Sequence, residues 1–224
     1  MHTLLMIAFL VVSLASPAGN PIERWARAAG GRDKVAAIKA VYREATLEFN
    51  GMQGTLKVWH TAEGKYRKEE QIATFSTIET FDGVNGSVQQ GVGEPRKMTP
   101  DELQQTISKR FANSNAMFFA FFPERRFGNV VTEGDNVVVL KAEGGIEWRV
   151  TLDPETSLPR TMVHVEGERT ITVTFDSYET VDGVKFEKEM HRSAGDPRMG
   201  AVIRFTKTVI NPSIDQSLFS MQSK

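Results

Sequence analysis

The sequence predicts a mainly β protein with few helices (α+β), built on a single antiparallel sheet of about ten strands with helices over one face. Three observations lead there. From Val41 onward apolar and polar residues alternate with period two in run after run. The runs are short and separated by Gly-containing turns, the spacing of hairpins rather than of βαβ units. One apolar, helix-patterned segment near the middle interrupts the β pattern.

A short helix opens the series. Asn20 is a good N-cap, Pro21 suits the first helical position, and Ile22, Trp25, Ala26 and Ala29 share a face. Gly30-Gly31 closes it, and a second turn or two over Arg32 to Ala40 carries Val35 and Ile38. In the first strand Val41, Ala45, Leu47 and Phe49 share one face, and Tyr42, Glu44, Thr46 and Glu48 the other. Gly51 to Gly54 turns the chain into Thr55–His60, Glu63-Gly64 turns it into Lys65–Ile72, and Thr74–Phe81 ends at Asp82-Gly83. Thr99-Pro100-Asp101-Glu102 then combines an N-cap, a proline at N1 and a glutamate at N3, a capping box. Leu103, Ile107 and Phe111 follow at helical spacing, and Met117, Phe118, Phe119, Phe121 and Phe122 form a dense apolar patch ended by Pro123. The second half returns to strands at Val137–Ala142, Glu147–Leu152, Arg160–Glu166, Thr170–Tyr178, Val184–His191 and Ala201–Ile210.

Composition sets outer limits on function. In 224 residues, 27 Lys+Arg against 28 Asp+Glu leave a net charge of −1, with no global drive toward nucleic acid or anionic membranes. Cysteine is absent, which removes disulfides, thiolate nucleophiles and Cys-ligated metals. Leu4 to Leu14 contains one polar residue, Ser13, and small residues follow, as in an export signal. Cleavage fits after Ala15 or after Ala18, so residues 1–18 are expected to be a signal peptide and 19–224 one domain, soluble in a periplasm. The alternative is an uncleaved anchor, although a span needs roughly 20 apolar residues. No cysteine follows to accept a lipid.

Catalytic signatures are missing. There is no His-Glu-x-x-His helix, no Gly-x-Ser-x-Gly elbow and no phosphate-binding loop. His60, His164 and His191 are far apart on predicted strands, and Glu69-Glu70, Glu187 and Glu189 fit solvated strand faces. No cofactor or metal is expected. A twisted antiparallel sheet of this size curls, and alternation gives it an apolar concave face that side chains, helices or a ligand must cover. The segment carrying Phe111, Met117, Phe118, Phe119, Phe121 and Phe122 is the candidate lid or plug. Trp148, Met162, Phe175 and Phe186 are the candidate strand lining, since Met and aromatic side chains adapt to apolar ligands of variable shape. The same residues also suit an ordinary packed core. Lys109, Arg125 and Arg126 are the candidate rim contacts for a head group.

Several short motifs recur in a known order. They are Ala28-Ala29-Gly30-Gly31 with Val35-Ala36-Ala37-Ile38, Gly64-Lys65-Tyr66-Arg67 with Glu69, and Phe81-Asp82-Gly83. Then come Leu152-Asp153-Pro154 with Leu158-Pro159, Tyr178 with Val181-Asp182-Gly183-Val184, and Asn211-Pro212-Ser213-Ile214-Asp215 with Leu218-Phe219. Together they resemble the LolA/LolB-like superfamily, specifically its divergent outer-membrane lipoprotein-sorting-like proteins. The resemblance implies an antiparallel β half-barrel whose hollow is covered by helices. It also implies a non-enzymatic carrier or chaperone that binds lipid, acyl chains or lipidated protein, as a monomer, for transfer across the cell envelope. In carriers of that family an early-strand arginine fastens the lid; near Val58-Trp59-His60 no arginine stands, and His60 is the nearest counterpart. Ser87 occupies roughly the place of the aromatic that usually follows the Asp-Gly. The rival expectations are an envelope protein-interaction, sensor or assembly module on the same fold, and a hydrolase whose histidines meet carboxylates inside the concavity.

Overall fold

The computed structural model describes residues 19–109, 116–122, 128–196 and 200–221. The expected signal peptide, Phe111, Arg125 and Arg126 lie outside the described residues.

Both N-terminal helices form as their caps dictate. Helix α1 (Pro21–Ala28) starts at Asn20, whose side chain accepts a hydrogen bond from the Ile22 amide. Its apolar stripe of Ile22, Trp25 and Ala26 is buried. Gly30 follows at φ +116°, with its open side against the backbone of Gly183, where a Cβ would collide. Helix α2 (Arg32–Ala36) buries Val35. The capping box at the head of α3 (Pro100–Lys109) is reciprocal: the Thr99 amide donates to Glu102 at 2.8 Å, and the Glu102 amide donates to the Thr99 hydroxyl at 3.3 Å. Helix α4 (Ala116–Ala120) is buried on every side.

The strands are β1 (Ala40–Phe49), β2 (Met52–Thr61), β3 (Tyr66–Ile72), β4 (Phe75–Phe81), β5 (Gly86–Gln90), β6 (Arg96–Lys97), β7 (Gly128–Glu133), β8 (Val137–Ala142), β9 (Glu147–Leu152), β10 (Pro159–Glu166), β11 (Arg169–Val181), β12 (Val184–Ala194) and β13 (Gly200–Ile210). They form one open antiparallel sheet in the order β6-β5-β4-β3-β2-β1-β13-β12-β11-β10-β9-β8-β7. Thirteen strands replace the expected ten or so. The additions, β5, β6 and β7, lack the signal that alternation needs. β5 is Gly-Ser-Val-Gln-Gln, β6 has two residues, and β7 is an edge strand with little of either face buried.

This order divides the chain into two meanders that meet where β1 pairs with β13. The chain joins the two outer edges, β6 and β7, through the segment holding α3 and α4, so those helices lie across the sheet rather than beside it. Bulges at Glu44/Ala45, Pro159/Thr161 and Phe175–Tyr178 add local bend. The sheet is curled: residues of β2 and β3 and residues of β9 and β10, far apart in strand order, line one hollow.

The two ends of the hollow differ. At one end α1, α2 and α4 pack together, with Trp25 edge-on to Phe121 at 5.1 Å and Arg32 over the same ring. At the other end the turns after β1, β3 and β10 surround an opening bordered by α3.

Candidate functional site: a mouth, a pouch and a plug

The opening is a space of about 860 Å³, within the range of ligand-binding clefts. Phe49, Ile72, Ile146 and Ile171 contribute apolar surface, and Gln104, Gln105, Arg169 and Glu166 contribute polar surface. Farther in, a pouch of about 130 Å³ is lined from β1, β2, β3, β9, β10, β11, β12, β13 and α3. The two share Glu70, Glu166 and Arg192, so the mouth leads into the pouch.

The strand period explains who faces inward. On β1 the inward set is Val41, Arg43, Ala45 and Leu47, all buried. Arg43 is the surprise in this row. It donates to the Glu187 carboxylate at 2.9 Å, to the Glu187 carbonyl, and to the Thr208 hydroxyl at 3.1 Å. Its guanidinium lies 3.4 Å from the centroid of the Phe205 ring. Burial pulls its pKa down, and Glu187 works against that pull. An early-strand arginine is therefore present, on β1 rather than near Val58-Trp59-His60.

Leu56, Val58 and His60 on β2, and Tyr66, Lys68 and Glu70 on β3, continue the inward face. Lys68 bridges Glu79 at 3.1 Å and Glu70 at 3.3 Å, and Lys109 of α3 reaches Glu79 at 2.9 Å. Burial would raise the Glu79 pKa, but the two ammonium groups outweigh it and hold the carboxyl down at about 2. Burial likewise disfavours the Lys68 charge, and the surrounding carboxylates reverse this, leaving its pKa raised. Lys109 moves the other way, pressed down by burial and by Lys68.

His60 is buried against Phe118, ring centroids 5.7 Å apart. Burial, then the charge of Arg43, pushes its pKa down to about 3, so the ring is neutral at ordinary pH. His164 stacks on Trp148 at 3.6 Å and contacts the Glu166 carboxylate through Nε2 at 2.8 Å. That hydrogen bond holds the Glu166 pKa low. Among the described residues, four buried nitrogens on the pouch lining have no hydrogen-bond partner: Nδ1 and Nε2 of His60, Nε1 of Trp148 and Nδ1 of His164.

The sequence-predicted residues fall into two groups. Trp148 and Lys109 line the pouch. Met117, Phe118, Phe119, Phe121 and Phe122 are buried together as a plug at the helical end, and Met162, Phe175 and Phe186 lie in the same continuous core. Of the lid and the plug that the sequence left open for this segment, burial of its described residues fits the plug. Sequence reasoning passed over Arg43 and Lys68, read Tyr66 only as part of a motif, assigned Glu70 to a solvated strand face, and treated His60 and His164 as solitary. A signal existed for Arg43, a charge in phase with Val41, Ala45 and Leu47. For the histidines there was none, because only the curl brings β2 opposite β10.

No family model and no curated protein sequence matches the chain. Solved structures do. A DUF1329 family protein from Desulfovibrio piger aligns at TM-score 0.52 and 12% identity, over 90% of this chain and 98% of that one. A putative outer membrane lipoprotein-sorting protein domain from Vibrio parahaemolyticus aligns at TM-score 0.50 and 10% identity, over 88% and 97%. A LolA superfamily protein from Nitrosomonas europaea aligns at TM-score 0.53 and 9% identity, over 89% and 96%. The fold is LolA-like, as the motifs in the sequence led one to expect.

Proposed function

We propose that this protein is an exported, periplasmic, non-enzymatic carrier that shelters the apolar part of an amphipathic ligand (a lipid, an acyl chain or a lipidated protein) inside its half-barrel. The observation that carries this reading is the asymmetry of the hollow: an 860 Å³ mouth at one end of a curled sheet whose other end is plugged by α4. Burial of a ligand's CH₂ groups stabilises the complex by about 0.8 kcal/mol each. The apolar mouth residues Phe49, Ile72, Ile146 and Ile171 are the surface for that burial. The LolA-like fold supports the same reading. Among the described residues no helix is long and apolar enough to cross a membrane.

Native mass spectrometry of gently purified protein tests the proposal. Co-purified lipid, together with saturable uptake of a fluorescent fatty acid, is the expected result. A homogeneous ligand-free mass with no uptake overturns it.

One observation favours a second reading. Glu166 holds His164 through Nε2, and Nδ1 of this pouch-lining residue is left without a hydrogen-bond partner, a pairing that resembles a carboxylate-oriented base. Among the described residues no serine, threonine or cysteine lines the pouch, so only direct attack by water fits. Turnover of acyl esters that is lost in His164→Gln supports hydrolysis; absence of turnover removes it.

A further inference from the structure

The pouch holds an inconsistency that packing alone does not resolve. Buried polar groups are normally hydrogen-bonded, and each exception needs a partner. Among the described residues, four of the five such side-chain atoms gather on one 130 Å³ space: both nitrogens of His60, Nε1 of Trp148 and Nδ1 of His164. Buried charge does not explain them. Every cation on the lining stands against a carboxylate: Arg43 against Glu187, Lys68 against Glu70 and Glu79, Lys109 against Glu79, and Arg192 against Glu166. The pouch is therefore balanced in charge and deficient only in neutral hydrogen bonds.

The type of the unmet groups narrows the ligand. Indole Nε1–H donates only, and a neutral imidazole offers one donor and one acceptor. His60, whose buried ring is neutral, supplies one of each beside the Trp148 donor. The set thus contains donors and acceptors together, which a carboxylate or phosphate, accepting only, cannot satisfy. A hydroxyl, which donates and accepts, can. The volume suits a few such groups, since a water molecule takes about 30 Å³.

We propose that the inner pouch receives an uncharged, hydroxyl-bearing head group of an amphiphile, held by His60, Trp148 and His164, with the ligand's chain lying outward in the mouth. This rests on the carrier reading and adds to it an orientation, head inward, and a selectivity for neutral over anionic heads. Geometry supports the orientation. The unmet nitrogens lie in the deeper space, on a wall shared with Leu56, Val58, Val173, Met190, Ile203 and Phe205, and Phe49, Ile72 and Ile171 continue that apolar surface out to the opening, where a chain can follow it.

The test compares 1-monooleoylglycerol with oleate, which share a chain and differ in head group. The purified protein, freed of co-purifying lipid, is titrated with each in competition with a fluorescent acyl probe. The ¹⁵N-labelled indole signal of Trp148, assigned with Trp148→Phe, is followed in parallel. The expected result is at least tenfold tighter binding of monooleoylglycerol, with a shifted Trp148 signal. That preference should fall toward unity in Trp148→Phe and in His60→Leu. Equal affinities, an oleate preference, or an unmoved Trp148 signal at saturation overturns the head-group assignment while the carrier reading stands. Failure of both compounds and of the probe to bind overturns both.

Discussion

The two ends of this half-barrel are made from the same strands and are finished in opposite ways. At the helical end, Phe118, Phe119 and Phe121 are at most 1% exposed and are packed with Trp25 and α2, so apolar side chains fill the space. At the mouth, α3 contributes polar residues (Asp101, Gln104, Gln105) to the lining, and side chains leave a space of about 860 Å³ between them and the strands. Between the two ends lies a pouch whose wall joins apolar side chains such as Leu56, Val58, Met190 and Phe205 to ion pairs and unmet nitrogens. The difference separates close packing from open space along one axis. The plug concentrates close-packed apolar contacts, and the mouth contributes little burial.

The comparison can be broken most directly at the plug. Phe118→Ala should destabilise the protein by about 3–5 kcal/mol in urea unfolding, the usual cost of a large-to-small change in a packed core. Val165→Ala at the mouth rim, more than half exposed, should cost no more than about 0.5 kcal/mol. Similar values for the two would remove the distinction between the ends.

A smaller effect sharpens the boundary between plug and pouch. His60 has a folded pKa of about 3 against an ordinary 6.5. Above pH 6.5 it is neutral in both folded and unfolded chains, and no stability is lost. As pH falls below 6.5 the unfolded chain gains a proton that the folded chain refuses, so stability drops until pH passes about 3. By pH 5 the loss from this group should be about 2 kcal/mol, at 1.36 kcal/mol per unit. Urea unfolding at pH 7 and pH 5 should show His60→Gln losing less stability than wild type by that amount. Parallel losses would mean that His60 is hydrated or exposed.

The smallest effect on stability should be the most telling for function. Ala201→Phe adds bulk to the mouth lining, where the space is open. Melting temperature should stay within a few degrees of wild type, while uptake of a fluorescent fatty acid falls at least fivefold. Unchanged uptake would place the ligand elsewhere.

Much of this architecture was legible beforehand. Local rules located α1 from Asn20-Pro21 and α3 from the Thr99–Glu102 box, because caps act within a few residues. Period two marked the strands whose one face is buried, such as Trp148, Val150 and Leu152. It missed β7, which buries little of either face, and β5, whose inward residues are small. The Phe/Met patch was visible as an apolar concentration, but hydrophobicity alone does not distinguish a filled plug from a ligand-facing wall.

The sequence by itself determined the class of fold, the position of its helices and the identity of its apolar face, since each depends on patterns a few residues long. Tertiary structure alone decided that Arg43 would meet Glu187, that His60 and His164 would share a pouch, and that one end would be filled and the other left open. The physical reason is that curl sets distances across the hollow. Curl accumulates from the twist of many strands and a few bulges, and no single stretch of chain encodes it.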